Sequence, residues 1–439
     1  MTDAPRSAAA YDRARTVMPG GNTRASNYEA PFPIYLASGD GASVTDIDGR
    51  RYLDFQNNFT ALIHGYNHPG VTEALARQTS RGLSFANPTV SEIDLAELLC
   101  ARVPYFDQVR FTNTGSEAVM MAIKAARALT GRRLIAKCEG AYHGNYDFVE
   151  MSVATPPSPW GPAPRHGEPA HLGVARSARS DVVIIPFNDV DTTRRLLDQV
   201  KDELAAVIVD PMPSRAGLVP ISDAYLSLLS SLTKASGSLL ISDEVLSFRL
   251  GYAGALGNRA HFPDICAFGK IVGGGLPVGA IAGSAEVMKI FDPSGGKAGV
   301  AHAGTFTANP MTMVAGAAAM RDMTPDAFQR LNTLGERTRA ALRATLTALD
   351  VPGTVTGAGS LFRIFLGRSE VTSYADAAAA SAAKADLARL VDGMRRRGVM
   401  LSSIALGALS TPMSDADISA LQETFHDALV AVRGEAVDA

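Results

Sequence analysis

Five short apolar runs recur through the middle of the chain: "RLIAK" (133–137), "VVIIP" (182–186), "AAVIVD" (205–210), "SLLISD" (238–243) and "ICAF" (265–268). Near-continuous apolar runs of this length mark strands covered on both faces. Helix-compatible segments separate most of them. From about 60 to 315 the chain therefore reads strand, loop, helix, which predicts an α/β fold with a mainly parallel central sheet flanked by helices. Ahead of this region, "IYLASGDGASVTDIDGRRYLDF" (34–55) reads as a three-stranded meander turned at Asp40-Gly41 and Asp48-Gly49.

From about 316 the pattern changes. Helical stretches at 325–350 and 374–397 flank one strand, "SLFRIFL" (360–366), and "ADAAAASAAKADLARL" (375–390) is Ala-rich but helix-compatible. A last helix is predicted from Ser414, with Asp417 in place of the usual capping-box Glu. These shifts divide the chain into an N-terminal segment with the meander (1–60, part of a smaller domain), a large domain (61–315) and a smaller α+β C-terminal domain (316–439). No internal repeat is present. Residues 151–180 break the rhythm, with prolines at 156, 157, 159, 162, 164 and 169. A connection this long is either functional or disordered. We read it as an ordered loop near a site or an interface.

Composition narrows the function classes. The chain has 439 residues, 46% hydrophobic and 19% charged, with a net charge of −3. No polyanion partner such as nucleic acid is predicted. There is no basic run, zinc-type cysteine cluster or Walker phosphate loop, and no metal is expected. "MTDAPRSAAAYDRAR" is charged and has no apolar centre, so no signal peptide is expected. No uncharged stretch reaches the roughly 18 residues of a membrane helix. Cys100, Cys138 and Cys266 have no motif spacing and read as reduced core cysteines of a cytoplasmic protein.

The chemistry lies where strands end. "SLLISD" closes on Asp243, followed by Glu244 and Val245, and Lys270 follows "ICAF" 27 residues after that acid. Ligands of open α/β sheets bind beyond the carboxyl ends of the strands. An acid and an amine one crossover apart there face one crevice, and a desolvated lysine can form a Schiff base with a carbonyl. A lone lysine after a strand would otherwise be a surface residue. The glycines at 273–275 permit a tight backbone after it. In "FTNTGSEAVMMAIKAARALTG" (111–131), Gly115 and Ser116 open an amphipathic helix whose free N–H groups can bind phosphate. Taken alone, "TGSEA" is an ordinary N-cap. Tyr142 and His143 in "EGAYHGNYD" follow a strand, where an aromatic can stack on a planar ring. Thr305 offers a hydroxyl in "HAGTFTANPMT". Acid, amine, aromatic and phosphate cup together suit pyridoxal phosphate.

Five motifs in order, "FTNTGSEA", "GAYHG", "SDEV", "FGKIVGGGLPVGA" and "GTFTANP", make the chain closely resemble the class III aminotransferases of fold type I. The branch is the one that holds glutamate-1-semialdehyde aminomutase and the β-amino-acid (β-phenylalanine) aminotransferases. The resemblance runs from "MPGGNTRAS" (18–26) to "GTFTANPMT" (304–312) and more weakly through the C-terminal domain. It implies pyridoxal 5'-phosphate anchored on Lys270, with Asp243 on the pyridine nitrogen and Val245 and Tyr142 on the two ring faces. Gly115 and Ser116 would hold the phosphate, and Thr305 would reach it across a homodimer interface. His143 is given a supporting role and Glu244 a structural one.

Substrate follows less directly. Arg24 in "PGGNTRAS" stands where relatives place the arginine that grips the substrate carboxylate, and Arg215 and Arg249 are the competing candidates. "FDPSGGKAGVAHAGTF" (291–306) resembles the β-amino-acid enzymes more than the aminomutase. Asp210 stands where relatives usually carry Glu, and "SSIALGALST" (402–411) lacks an arginine that some β-amino-acid enzymes carry. The expectation is an aminotransferase that moves an amino group, from a β-amino acid, to a 2-keto acid by a ping-pong mechanism. The alternative is a 2,1-aminomutase that retains its intermediate. A silent scaffold would have no use for Lys270 and Asp243, and a cofactor-free Schiff-base lyase none for the phosphate cup.

Overall fold

Each of the five apolar runs forms a strand, with ends displaced by at most one residue. The structure, a computed structural model, describes residues 4–24, 28 and 30–437. Its central sheet comprises, in chain order, β1 (Gln108–Thr112), β2 (Leu134–Cys138), β3 (Arg165–His166), β4 (Val182–Ile185), β5 (Leu204–Val209), β6 (Leu239–Asp243), β7 (Ile265–Gly269) and β8 (Gly279–Gly283). In space the order is β1-β8-β7-β6-β5-β2-β4-β3. β7, β6, β5, β2 and β4 run parallel, and their side chains are buried almost throughout. This is the mainly parallel sheet that the runs predict.

Three strands of this sheet, β1, β3 and β8, were not visible in the pattern. β8, "GAIAG", is antiparallel to both β7 and β1. It follows β7 through a tight turn at Lys270–Gly273 and two left-handed glycines, Gly274 (φ +60°) and Gly275 (φ +98°). A connection this short can only return as a hairpin, because a parallel crossover needs a dozen residues or more. Glycine and alanine favour strands poorly, which hides β8. Contact geometry requires them instead. A Cβ on Gly279 would lie 2.0 Å from the carbonyl oxygen of Thr114, and one on Gly274 would lie 2.4 Å from that of Ala315.

The helix Gly115–Thr130 covers β7 and β8 with Ala118, Val119, Ala122, Ile123, Ala125 and Ala126, all buried. Thr114 caps it, its hydroxyl accepting from the Glu117 N–H at 3.1 Å, and Gly131 ends it at φ +68°. The cap therefore fixes where the first free N–H groups of this helix point, just past β1.

The meander forms as predicted from Leu36–Asp40, Ser43–Asp46 and Arg51–Asp54. A fourth strand, Val399–Met400, adds parallel to its last member. A second small sheet joins Gly353–Thr356, Leu361–Leu366 and Leu406–Ala408, and the helices Pro325–Ala348 and Asp415–Val437 contact one another beside it. At the start of the last helix the Ser414 N–H and hydroxyl donate to Asp417 at 2.7 and 2.9 Å. The helix predicted over 374–397 is interrupted at Ala380–Ala383. Its halves answer to different anchors. The first starts at a Ser373/Asp376 capping box, with the Tyr374 hydroxyl on the Thr155 carbonyl. The second buries Leu390 and Met394.

The proline-rich stretch is organised. β3 pairs with the sheet edge, Met151 bridges to Pro169, and Met151, Val174 and Ala178 pack on β4. Buried Lys137 ties this stretch to the sheet, its amine donating to the Met151 carbonyl at 2.8 Å. No helix among the described residues is long and apolar enough to cross a membrane.

The close contact at Gly279 gives a first prediction. Gly279→Ala should destabilise the protein by about 1–3 kcal/mol, the usual range for overpacking a core. Denaturant unfolding would measure it, and an unchanged midpoint would show that the Thr114 contact is not tight.

Candidate active site

β6 and β7 end side by side, with Asp243 paired in register with Ala267, and Lys270 follows just beyond β7. A cavity of about 460 Å³ opens there. Of the residues singled out in the sequence, Arg24, Gly115, Ser116, Tyr142, His143, Asp243, Val245 and Lys270 line it. Thr305 does not; it lies exposed on a loop of the same protomer.

Asp243 is almost fully buried and accepts two hydrogen bonds. Oδ2 takes one from Nδ1 of His143 at 2.7 Å, and Oδ1 takes one from the Val245 N–H at 3.0 Å. His143 is 1% exposed. Burial pushes its pKa down, against the opposing pull of Asp243. A neutral ring that donates from Nδ1 leaves Nε2 as an acceptor, and that buried atom has no protein partner.

Lys270 sits at φ +51°, in the left-handed region. Its amine donates to the Thr60 hydroxyl at 3.3 Å. Burial lowers its pKa to about 8, with Asp210 and Asp243 pulling upward and Arg249 downward. Asp210, at the end of β5, is also buried, and desolvation together with the Asp243 charge raises its pKa well above the carboxylate range. Two acids and an amine thus share one desolvated crevice, where charge interactions are stronger than in water.

At the helix start, Gly115 and Ser116 present first-turn N–H groups that lack intrahelical acceptors. The Ser116 hydroxyl accepts from the Asn145 N–H at 3.1 Å. Gly115 and Gly144 keep this corner open. A Cβ on Gly115 would meet the Val245 methyls at 2.7 and 2.8 Å, and one on Gly144 would meet Ser116 Oγ at 2.3 Å. Tyr142 is 43% exposed to the cavity side and donates to Asn145 at 3.2 Å.

The three arginines separate clearly. Arg24 enters the cavity mouth, where its Nη1 donates to Asn58 Oδ1 at 3.0 Å and its guanidinium lies 5.9 Å from the Phe59 ring centroid. Arg215 lies over the Tyr142 ring at 5.1 Å. Arg249 is no substrate ligand candidate. It is fully buried and donates to Ser360 Oγ at 2.9 Å, to the Thr60 carbonyl at 2.8 Å and to the Leu409 carbonyl. Glu244 is likewise internal, accepting from Tyr105, Ser242 and the Ala255 N–H. Burial raises its pKa to about 7.

Sequence reasoning missed Asn58 and Thr60. Asn57, Asn58, Phe59 and Thr60 have φ of +46°, +47°, +54° and +72°. Left-handed backbone costs about 1–2 kcal/mol per L-residue. Asn tolerates it, whereas bulky and β-branched residues are outliers there. The Asn-Asn pair was the only signal, and it resembles an ordinary turn.

The family model for class III aminotransferases matches residues 24–429. The chain belongs to this family. It is similar to glutamate-1-semialdehyde 2,1-aminomutase 2 of Geobacillus kaustophilus (strain HTA426), 39% identical over 84% of this chain and 85% of the relative. It superimposes on an omega-transaminase from Sphaerobacter thermophilus with a TM-score of 0.92, at 48% identity over 97% of this chain and 98% of the other. A β-phenylalanine aminotransferase from Variovorax paradoxus gives a TM-score of 0.88 at 32% identity, over 98% and 95% of the chains. The protein is therefore a fold type I aminotransferase acting on amino and keto acids, and its cofactor is pyridoxal 5'-phosphate, as in a related transaminase with that group bound.

The lowered pKa of Lys270 sets a pH dependence. Only the neutral amine attacks an aldehyde, and it predominates above about pH 8. Covalent uptake of pyridoxal phosphate by cofactor-stripped protein should rise through about pH 8 and level off above it. Stopped-flow absorbance across pH measures this. A rise continuing toward about 10.4, the ordinary lysine value, would mean the amine is not desolvated.

Proposed function

We propose that this aminotransferase takes the amino group of a β-amino acid and passes it to a 2-keto acid in two successive half-reactions. The observation that carries the reading is Arg24, whose guanidinium enters the same cavity as the Lys270 amine. In a β-amino acid the carboxylate stands one carbon further from the amine than in an α-amino acid. A site that holds the amine over Lys270 must grip the carboxylate from elsewhere, and an arginine at the mouth meets that need.

The residues fit the cofactor. Gly115 and Ser116 open an uncrowded helix start suited to its phosphate. Val245 and Tyr142 would flank its ring, and Asp243 would face the ring nitrogen. When bound, the group supplies an electron sink for the donor carbon. Lys270 would anchor it, and its freed amine would take the proton from the donor carbon and deliver it to the cofactor. His143 orients Asp243 through its 2.7 Å hydrogen bond. The pairing keeps the carboxylate from rotating while a substrate turns over.

A second copy of the chain completes the site in this proposal. Thr305 is exposed in the protomer. Phe306 beside it is 62% exposed, and Leu83, Phe85, Val90 and Ile93 are each at least half exposed. Large apolar side chains left open support a partner surface, and Thr305 of one copy would reach the phosphate held by the other. Free Cys100, Cys138 and Cys266 support a reducing, cytoplasmic setting.

A 2,1-aminomutase is the second reading, favoured by the name and 39% identity of the Geobacillus kaustophilus relative. Single-turnover spectra separate the two. Mixed with single α-, β- and γ-amino acids and with glutamate-1-semialdehyde, the pyridoxal form should convert to the pyridoxamine form with β-amino acids and release a keto acid. Conversion confined to glutamate-1-semialdehyde, without keto acid release, would establish the mutase instead.

Arg24→Ala should lower kcat/KM for a β-amino acid by roughly 10- to 150-fold, mostly through KM, from the loss of a charge-assisted hydrogen bond worth about 1.5–3 kcal/mol. Lysine should restore only part, since it lacks the planar fork. Amine donors without a carboxylate should be indifferent to the change. Equal losses for both donor types would make Arg24 structural and turn attention to Arg215.

A further inference from the structure

The segment Asn57–Thr60 is a left-handed turn wedged between the two groups that the functional reading needs most. Four consecutive non-glycine residues keep positive φ. Such backbone persists only where its surroundings over-determine it, and here they do. The Asn57 side chain donates to the Ala408 carbonyl at 2.7 Å, and its N–H donates to Asp54 at 3.2 Å. Buried Arg249 donates to the Thr60 carbonyl at 2.8 Å. The turn is thus fixed at both ends by the strand Leu406–Ala408, by Asp54 and by the interior guanidinium. Two of its side chains make polar contacts with the candidate site residues. Thr60, 1% exposed, accepts from the Lys270 amine at 3.3 Å, and Asn58 accepts from Arg24 at 3.0 Å.

We propose that Thr60 and Asn58 are positioning residues, Thr60 for the Lys270 amine and Asn58 for the Arg24 guanidinium, both presented by the left-handed turn Asn57–Thr60. Lys270 is itself left-handed at φ +51°, so both backbones that frame the contact are fixed. The Thr60 hydroxyl holds the amine toward one wall of the cavity while Asp210 and Asp243 act on its charge. In a right-handed turn of the same length these side chains would project elsewhere, and one segment could not serve both groups. The proposal rests on Lys270 as anchor and Arg24 as carboxylate ligand.

The two assignments separate kinetically. Cofactor-stripped protein is mixed with pyridoxal phosphate and covalent uptake is followed by its visible absorbance; kcat and KM are then measured with a β-amino acid. Thr60→Val and Thr60→Ala should slow uptake and lower kcat by roughly 3- to 10-fold, the worth of one ordinary hydrogen bond, at unchanged KM. Thr60→Ser keeps the hydroxyl and should restore both. Asn58→Gly, which suits positive φ, should raise KM for the carboxylate-bearing donor and leave uptake unchanged, and Asn58→Asp, which keeps the acceptor, should restore KM. The Ser and Ala variants both lack the Thr methyl, so their comparison decides even if the Val variant folds poorly. Wild-type rates in Thr60→Ala, or a Ser variant as slow as Ala, would overturn the Thr60 assignment. An Asn58→Gly variant with unchanged KM would overturn that of Asn58. Failure of the wild-type protein to take up the cofactor covalently would strike the functional reading itself.

Discussion

A carboxylate withdrawn from water at the end of a parallel strand is costly unless hydrogen bonds replace the lost solvent. Asp243 meets that requirement with two donors, His143 Nδ1 and the Val245 N–H. The rest of the site is arranged around this solution. Because the Nδ1–H is committed to Asp243, the imidazole orientation is fixed, and with it the loop that carries Tyr142. Because the Val245 N–H is committed, the chain turns sharply after β6 and sets the Val245 side chain against Gly115. Asp210 and Lys270 then complete a crevice of fixed charges. Burial lowers the amine's pKa and raises that of Asp210. Each shift opposes ionisation, so the crevice holds fewer charged groups than its residue types would suggest.

Backbone strain is concentrated at the same place. Asn57 to Thr60 and Lys270 all lie in the left-handed region without being glycine. For the turn, part of that cost is met by a buried side chain from another element, Arg249. Its guanidinium is deeply buried, its pKa lowered to about 9 by desolvation, and it donates to oxygens of Thr60, Ser360 and Leu409. An arginine that looks like a substrate ligand in the sequence is instead a rivet joining the turn to the C-terminal strands. Removing it would orphan three buried acceptors, a far larger loss than a typical surface change.

Legibility followed the physics of each element. The buried strands were visible because covering both faces of a sheet demands apolar side chains in unbroken runs. The meander was visible because Asp-Gly turns require positive φ. β8 was hidden because close packing on Thr114 selected glycine and alanine, residues whose propensity points away from strands. Asp243, Lys270, Gly115 and Ser116 could be placed together because strand ends and helix starts are fixed by local pattern. The contacts of Asn58, Thr60 and Arg249 could not, because they depend on which distant segments fold against one another. Arg24 was legible only through its resemblance to relatives, since nothing in "PGGNTRAS" itself points to a cavity.

The residues that line the cavity come from two kinds of element. The groups for bond chemistry come from the sheet: Asp210, Asp243 and Lys270 end three adjacent parallel strands, and their spacing follows from strand register. The groups to which we assign recognition come from connections, Arg24 from the N-terminal segment and Asn58 from the turn after the meander. Register cannot drift by one residue without turning every core side chain to the opposite face, so the places of these three groups are held as firmly as the core. Connections carry no such penalty and can exchange an arginine or move an asparagine at little cost to the core. The two sets meet at the left-handed turn, where Asn58 and Thr60 stand two residues apart and touch one member of each, Arg24 and Lys270.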